Sequence, residues 1–299
     1  MRTGRMHADE AEIDTALVRR LLAGQFPRWA ELPLRRFPSA GTVNAVYRLG
    51  ESMAVRLPLN EGGAGDVAKE ARWLPRLAPG LPVAVPEVLG VGKPAAGYPW
   101  PWAVHRWLDG AVPVVGELAD PAGLAAGLAA FVGALQRIDP EGGPSAYRGG
   151  PLGAADAGTR AAIGALHGEI DTAAATAAWE SALGAPGRRG RPVWLHGDLM
   201  PGNLLLGGGR LTAVIDFGTL GVGDPAIDTI TAWNLLPATA RAGFRAALGV
   251  DEATWARGRG WALSMALIQL PYYRDTNPAM AANARHVIGQ VLAEHAAAG

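Results

Sequence analysis

The sequence predicts an α+β protein with a β-rich N-terminal part and a mainly helical C-terminal part. Residues 45–49 and 53–57 are two short runs of β-prone residues, and the turn 50–52 between them predicts a hairpin. Later in the chain, Asp120 is followed by a proline and then by apolar residues at helical spacing, which predicts a helix of about four turns. This order of elements predicts two halves with a cleft between them.

Weaker patterns complete the predicted elements. The apolar residues of 14–23 share one helical face, and Gly24 ends the pattern. A second helical stretch is predicted for residues 66–77, and the segment from there to Pro101 has the Pro and Gly content of short extended runs. Residues 261–270 are almost all apolar and predict a buried helix.

The composition excludes several classes of function. The 299-residue chain contains 27 Lys and Arg residues and 27 Asp and Glu residues, so no net charge attracts it to nucleic acid or to an anionic membrane. The absence of cysteine excludes disulfides, cysteine-ligated zinc and thiol catalysis. No apolar run approaches the length of a membrane span, and residues 1–14 lack the apolar core of a signal peptide. We therefore expect a cytoplasmic protein without nucleic-acid or membrane partners.

The most informative stretch is residues 193–206, where an apolar strand runs into a polar loop and a second apolar strand follows. The loop contains Asp198 and, five residues on, Asn203, and Asp216 follows the next strand. Asn203 and Asp216 offer oxygen ligands at strand ends, which suit Mg²⁺ because this ion takes few protein ligands and shares its shell with phosphates and water. Asp198 can accept a hydrogen bond and then a proton from an incoming hydroxyl, so it is the candidate base.

Three motifs in order carry a resemblance to a known family. They are His196-Gly197-Asp198 with Asn203 five residues beyond Asp198, then Ile215-Asp216-Phe217-Gly218, and then Gly223-Asp224-Pro225-Ala226-Ile227-Asp228. The compound pattern covers roughly a tenth of the chain and resembles the aminoglycoside phosphotransferase family, whose members are relatives of the eukaryotic-type protein kinases. The resemblance implies a two-lobed protein-kinase-like fold, with a nucleotide-binding lobe in residues 1–106 and a catalytic and acceptor-binding lobe in residues 107–299.

The resemblance also implies the reaction and its phosphate anchor. ATP or GTP would donate its γ-phosphoryl group to a hydroxyl of a small molecule, and Mg²⁺ would accompany the nucleotide. Ala54 and Arg56 share one face of their strand, and Arg56 stands where the family usually has a phosphate-contacting lysine. Glu70 would pair with Arg56, whereas the adjacent Lys69 should point elsewhere.

Two more segments are assigned by the resemblance. Residues 102–110 look like a strand and the connection between lobes, whose backbone would bind the adenine or guanine edge near Arg106 and Leu108. Residues 39–44 lie where the phosphate-covering turn belongs, although an ordinary strand connection explains them equally well. Asp228 resembles the carboxylate that braces the catalytic loop through backbone amides.

The charge of the C-terminal segment bears on the nature of the acceptor. Residues 229–299 contain fewer acids than arginines, whereas a desolvated polycation needs compensating carboxylates, so we expect a neutral or weakly charged, antibiotic-like hydroxyl compound. A metabolic kinase for a sugar, an amino alcohol or a homoserine-like substrate is the alternative. A nucleotide-binding scaffold without turnover is a third reading, which Arg56 makes conceivable. The four consecutive residues proposed to line the acceptor pocket are Tyr272, Tyr273, Arg274 and Asp275.

Overall fold

The structure is a computed structural model that describes residues 13–38 and 43–298. Residues 39–42, which form most of the predicted phosphate-covering turn, lie outside this range. The described chain divides into two compact units. The first unit contains the described residues up to Pro79 together with Ala84–Gly110 and Ala213–Gly218, and the second contains Gly80–Val83, Ala111–Thr212 and the chain from Thr219 onwards.

The first unit is built on a five-stranded antiparallel sheet with the strand order β1-β2-β3-β5-β4. The predicted hairpin is confirmed as β2 and β3, which pair in the register Ala45 to Leu57. Since β3 lies between β2 and β5, its residues occupy the middle of the sheet. The strands are β1 (Leu34–Phe37), β2 (Asn44–Leu49), β3 (Met53–Pro58), β4 (Val88–Gly92) and β5 (Trp102–Arg106).

Helix α1 (Thr15–Gln25) packs against the sheet and buries the core of the first unit. Asp14 caps it, because its Oδ1 accepts a hydrogen bond from Leu17 N at 2.7 Å. The apolar face of the helix joins Val55, Leu57 and other strand residues in one buried cluster. Ala54 and Arg56 are not part of that cluster, as the alternation along β3 predicts.

Helix α2 (Glu61–Leu77) begins five residues before the predicted stretch. Asn60 is its N-cap, and its side chain accepts a hydrogen bond from Gly63 N at 3.3 Å. The first turns contain three glycines, which weaken the helical pattern in the sequence. Glu70 lies on the buried face of this helix.

The second unit is mainly helical, so the predicted α+β fold class is confirmed. Helix α3 begins at Pro121 after the N-cap Asp120, as predicted, and the apolar segment 261–270 lies within the long buried helix α8. None of the helices in the described ranges is both long enough and apolar enough to cross a membrane. The helices are α3 (Pro121–Arg137), α4 (Asp156–Ala165), α5 (Thr172–Leu183), α6 (Thr231–Asn234), α7 (Ala238–Leu248), α8 (Glu252–Tyr273) and α9 (Pro278–Ala298).

Four short strands frame the predicted catalytic segments. β6 (Val193–Leu195) pairs with β9 (Gly221–Gly223), and β7 (Leu204–Gly207) pairs with β8 (Arg210–Val214). The loop of Asp198 follows β6, and the segment of Asp216 follows β8.

Candidate active site

Arg56, on β3, is the centre of a charged cluster in the first unit. Its Nη1 lies 3.0 Å from both carboxylate oxygens of Glu70, and its Nη2 lies 2.9 Å from Oδ1 of Asp216. The Glu70 side chain is only 3% exposed, so this is a buried ion pair. The predicted pairing of Arg56 with Glu70 is therefore present, and the bond from Arg56 to Asp216 is an addition that the sequence did not predict.

The charges in this cluster stabilise one another. Burial alone would raise the pKa of Glu70, but the positive charge of Arg56 and the nearby His105 outweigh it and lower the pKa to about 2. Burial would lower the pKa of Arg56, yet Glu70 and Asp216 together raise it. His105 lies on β5 opposite Ala54, and its Nε2 is 3.3 Å from Oε2 of Glu70. The sequence signal for His105 is a polar residue that directly follows the three apolar residues at the start of β5.

The segment that contains Asp216 is fixed by contacts from helix α2. Oε1 of Glu70 accepts a hydrogen bond from Phe217 N at 3.0 Å, and Lys69 Nζ donates to the carbonyl oxygen of Gly218. Lys69 therefore takes no part in the pair of Arg56 and Glu70, as predicted. Asp216 itself has a φ of 63°, which is the left-handed region that few residues other than glycine adopt. Two neighbouring contacts thus hold the Asp216 backbone in an uncommon conformation.

The residues predicted to bind the purine are only partly available. Arg106 N donates to Glu87 O at 2.9 Å, and its side chain pairs with the Glu87 carboxylate at 2.5 Å. The Arg106 N–H is therefore not free for a nucleotide. The Leu108 N–H makes no hydrogen bond to any described residue. Ala54 is buried in β3 beside His105.

In the second unit, Asp228 braces the loop after β6, as the resemblance implied. Its Oδ2 accepts a hydrogen bond from His196 N at 2.9 Å, and its Oδ1 accepts one from Gly197 N at 2.7 Å. Asp228 is completely buried, and this burial raises its pKa. Nδ1 of His196 accepts a hydrogen bond from Asp198 N at 3.2 Å, so this histidine supports the loop.

Asp198 and Asn203 are in direct contact. Asn203 Nδ2 donates to the Asp198 carbonyl oxygen at 2.8 Å and to its Oδ2 at 3.2 Å. The other carboxylate oxygen, Oδ1, accepts a hydrogen bond from Arg148 Nη1 at 2.8 Å. Arg148 belongs to the loop that precedes α4, and no sequence motif marks it. The Asp198 carboxylate is thus held by one donor at each oxygen.

The predicted metal ligands keep oxygen atoms available for a cation. Asn203 donates hydrogen bonds through Nδ2, and Asp216 accepts one through Oδ1. In the described parts of the chain, Oδ1 of Asn203 and Oδ2 of Asp216 take part in no hydrogen bond. No group of three or more His, Asp or Glu residues in these ranges is arranged to hold a metal.

The antiparallel sheet with its buried Arg–Glu pair, together with the helical unit that carries the Asp198 loop, is the architecture of a kinase-like phosphotransferase. The sequence model described as the APH phosphotransferase enzyme family matches residues 35–261. The chain belongs to this family. The predictions of the family, of the protein-kinase-like fold and of a phosphotransferase enzyme are therefore confirmed.

Solved structures of phosphotransferases share the fold. The GDP complex of wild-type aminoglycoside 2'-phosphotransferase-IIIa is 21% identical, with a TM-score of 0.77 over 95% of this chain and 100% of that chain. The GDP and kanamycin complex of APH(2")-IIIa is also 21% identical, with a TM-score of 0.74 over 93% and 98%. Macrolide 2'-phosphotransferase MphH from Brachybacterium faecium is 24% identical, with a TM-score of 0.62 over 92% and 98%. A comparison with curated protein sequences gave no match.

Proposed function

We propose that the protein is a cytoplasmic small-molecule kinase that transfers the γ-phosphoryl group of ATP or GTP to a hydroxyl of an antibiotic-like compound. The observation that carries this proposal is the held carboxylate of Asp198, which contacts Asn203 and Arg148 and stands on a loop braced by Asp228. A nucleotide-binding scaffold has no need of a positioned base. The structural neighbours include complexes with GDP, with kanamycin and with ADP, which supports a nucleotide and a small molecule as the two substrates.

Asp198 acts as the general base in this proposal. Each of its carboxylate oxygens accepts one hydrogen bond and has a further lone pair, so either can accept a hydrogen bond from an incoming hydroxyl. The carboxylate takes the hydroxyl proton as the new oxygen–phosphorus bond forms. Because Asn203 and Arg148 fix both oxygens, the base needs no reorientation when the acceptor binds.

Asn203 and Asp216 are proposed as the Mg²⁺ ligands. Asn203 directly precedes β7, and Asp216 follows β8, so the two residues flank this hairpin in the sequence. Each retains one oxygen without a hydrogen bond in the described chain, and such hard oxygen donors suit the ion. When bound, Mg²⁺ would neutralise charge on the β- and γ-phosphates.

The nucleotide is assigned to residues 1–106, and catalysis and acceptor binding to residues 107–299. Arg56 would contact the phosphates, since the Nε and the second Nη2 hydrogen are not needed for its bonds to Glu70 and Asp216. Ala54 on the same strand would contact the nucleotide base. The backbone near Arg106 and Leu108 would bind the purine edge, and the Leu108 N–H, which donates to none of the residues that the structure describes, supports this role.

Glu294, the least exposed of the four acids in residues 229–298, is already committed to other partners, which argues against a polycationic acceptor. Glu294 accepts hydrogen bonds from the indole nitrogen of Trp233 at 2.9 Å and from Arg241 at 3.1 Å. An ammonium group would have to displace these donors before it gained a carboxylate. The remaining acids of this segment lie on the surface: Asp251 caps α8 at Thr254 N, Glu252 lies 2.8 Å from Arg245, and Asp275 lies 3.8 Å from Arg274.

An acceptor screen tests the proposed function. Purified protein is incubated with Mg-ATP or Mg-GTP and with hydroxylated antibiotics or small hydroxylated metabolites, and the products are read by the mass gain of one phosphoryl group. Transfer to a neutral antibiotic-like alcohol supports the proposal, whereas transfer only to a sugar, an amino alcohol or a homoserine-like compound indicates the metabolic alternative. Thermal stabilisation by nucleotide without transfer to any acceptor would show a silent scaffold.

A further inference from the structure

Arg148 orients the proposed base through one nitrogen of its guanidinium, and its remaining donors have no part in the reaction as derived so far. Its Nη1 donates to Oδ1 of Asp198 at 2.8 Å and to the carbonyl oxygen of Gly197 at 3.4 Å. The side chain is 25% exposed. Within the described ranges, its Nε and Nη2 donate to no other residue. The guanidinium therefore retains donors on a solvent-accessible side.

The loop that carries Arg148 is anchored on both sides by backbone hydrogen bonds to the chain around β9. Before Arg148, Ala146 N donates to Val222 O at 3.1 Å, and Val222 N donates to Pro144 O at 2.8 Å. After Arg148, Asp224 N donates to Gly149 O at 2.8 Å. Backbone hydrogen bonds on both sides of Arg148 therefore fix the position of this residue relative to β9.

Two glycines allow the loop that carries Arg148 to pack closely against β6 and β9. Gly149 has a φ of 104°, and a Cβ at that position would lie 2.5 Å from Cδ1 of Leu195. A Cβ at Gly221 would lie 2.3 Å from the Cα of Ala146. Because neither position has room for a side chain, the sequence favours a loop packed directly on β9. The contact between Arg148 and Asp198 is thus a built feature of the second unit.

We propose that Arg148 is a specificity-determining residue that selects acceptors with an oxygen atom, and not an ammonium group, next to the reacting hydroxyl. This inference rests on the proposed role of Asp198 as base. A hydroxyl bound to the Asp198 carboxylate has its neighbouring substituent within reach of the guanidinium, because both are hydrogen-bonded to the same group. An ether, carbonyl, hydroxyl or carboxylate oxygen there accepts a charge-assisted hydrogen bond from Nε or Nη2.

An ammonium group in that position meets two disadvantages. It has no acceptor for the guanidinium donors, and it places a second positive charge close to Arg148. The carboxylate of Asp198 offers little compensation, because its charge is already balanced by Arg148. The expected discrimination is about tenfold or more, since like charges a few ångströms apart repel appreciably even near a protein surface.

Ethylene glycol and ethanolamine form a matched pair of probes. Both are two-carbon alcohols of nearly equal size, and they differ in whether a hydroxyl or an ammonium group lies next to the reacting hydroxyl. Because ethylene glycol has two equivalent hydroxyls, its rate is compared per hydroxyl. With Mg-ATP or Mg-GTP, we expect the wild type to form the ethylene glycol ester at least about ten times faster than the ethanolamine ester. An equal or higher rate with ethanolamine would overturn the proposal.

Arg148→Gln separates selection from simple support of the base. If Arg148 selects the acceptor, this variant brings the ratio of the two rates close to one, and Arg148→Lys keeps part of the preference because the charge remains. If Arg148 only orients Asp198, both rates fall together and the ratio is unchanged, which overturns the proposal. Arg160→Gln is the control, because Arg160 pairs with Asp156 and Glu180 on the surface and should leave the ratio as in the wild type.

The same assay distinguishes this inference from the function beneath it. A wild type that phosphorylates any acceptor of the screen but not ethylene glycol contradicts the role of Arg148 and leaves the kinase function intact. A wild type that phosphorylates no alcohol, including those of the acceptor screen, contradicts the proposed function itself. Thermal unfolding of each variant shows that it is folded before its rates are compared.

Discussion

Replacing Glu70 by glutamine removes the negative charge at the centre of the buried cluster in the first unit. Glu70 accepts hydrogen bonds from Arg56 through both of its oxygens and from Phe217 N through Oε1. Glutamine offers one acceptor oxygen, and its NH₂ group would face one of these donors. The substitution therefore leaves part of the Arg56 charge without a partner and weakens the support of the segment that follows Asp216.

The lowered pKa of Glu70 indicates how much the ionised side chain stabilises the folded protein. Its fall from 4.5 to about 2 corresponds to about 3 kcal/mol of stabilisation at neutral pH, since each tenfold change in proton affinity is worth about 1.4 kcal/mol. Loss of one partner from a buried ion pair costs about 3–5 kcal/mol in general, which agrees with this value. We therefore expect Glu70→Gln to lower the free energy of unfolding by about 3 kcal/mol at pH 7.

Urea unfolding of both proteins at a series of pH values checks this expectation. Because the folded-state pKa of Glu70 is lowered, its contribution is present above the unfolded-state pKa near 4.5 and is lost as the pH falls towards 2. The difference between wild type and variant should therefore be largest near neutral pH and shrink in acid. Glu61→Gln, at the exposed start of the same helix, is the control and should change stability by less than about 1 kcal/mol. A Glu70→Gln variant within about 1 kcal/mol of the wild type at pH 7 would refute the reasoning.

Two further substitutions test the geometry of the two units. Arg56→Lys replaces the forked guanidinium, which binds both Glu70 and Asp216, with a single point charge. We expect urea unfolding to show a free energy of unfolding lower by about 1–3 kcal/mol, while calorimetry still detects Mg-nucleotide binding. Unchanged stability would contradict the bridging role of Arg56. Gly149→Ala introduces a Cβ at a φ of 104° and 2.5 Å from Leu195, so we expect the free energy of unfolding to fall by about 1–3 kcal/mol. Phosphoryl transfer should also be slower, because the substitution displaces Arg148. An unaltered melting temperature and rate would show that the loop accommodates a side chain.

The features that the sequence predicted are those with local signals. The β2–β3 hairpin is marked by two β-prone runs around a tight turn, and α3 is marked by Asp120 and the proline after it. Asp198 and Asn203 are only five residues apart and contact each other within one loop, so their spacing in the sequence already indicates the contact. Signals of this kind lie within a few residues of the structure that they determine.

The features that the sequence did not predict depend on distant partners. Arg56 and Asp216 are 160 residues apart, and only the folded chain shows that they share a hydrogen bond. Arg148 reaches Asp198 across 50 residues through a loop whose position is set by glycines packed on β9. Helix α2 begins earlier than predicted, because the side chain of Asn60 caps a segment whose glycines hide the helical pattern.

Asp198→Asn is the most direct test of the central claim that this chain is a phosphotransferase with Asp198 as its base. Asparagine keeps the shape of the side chain but cannot accept the hydroxyl proton at neutral pH. With the best acceptor of the screen, transfer should fall by about 10²–10⁴-fold, the range that general-base catalysis contributes, while calorimetry shows Mg-nucleotide affinity within about threefold of the wild type. An Asp198→Asn enzyme that retains wild-type turnover would contradict the assignment of the base.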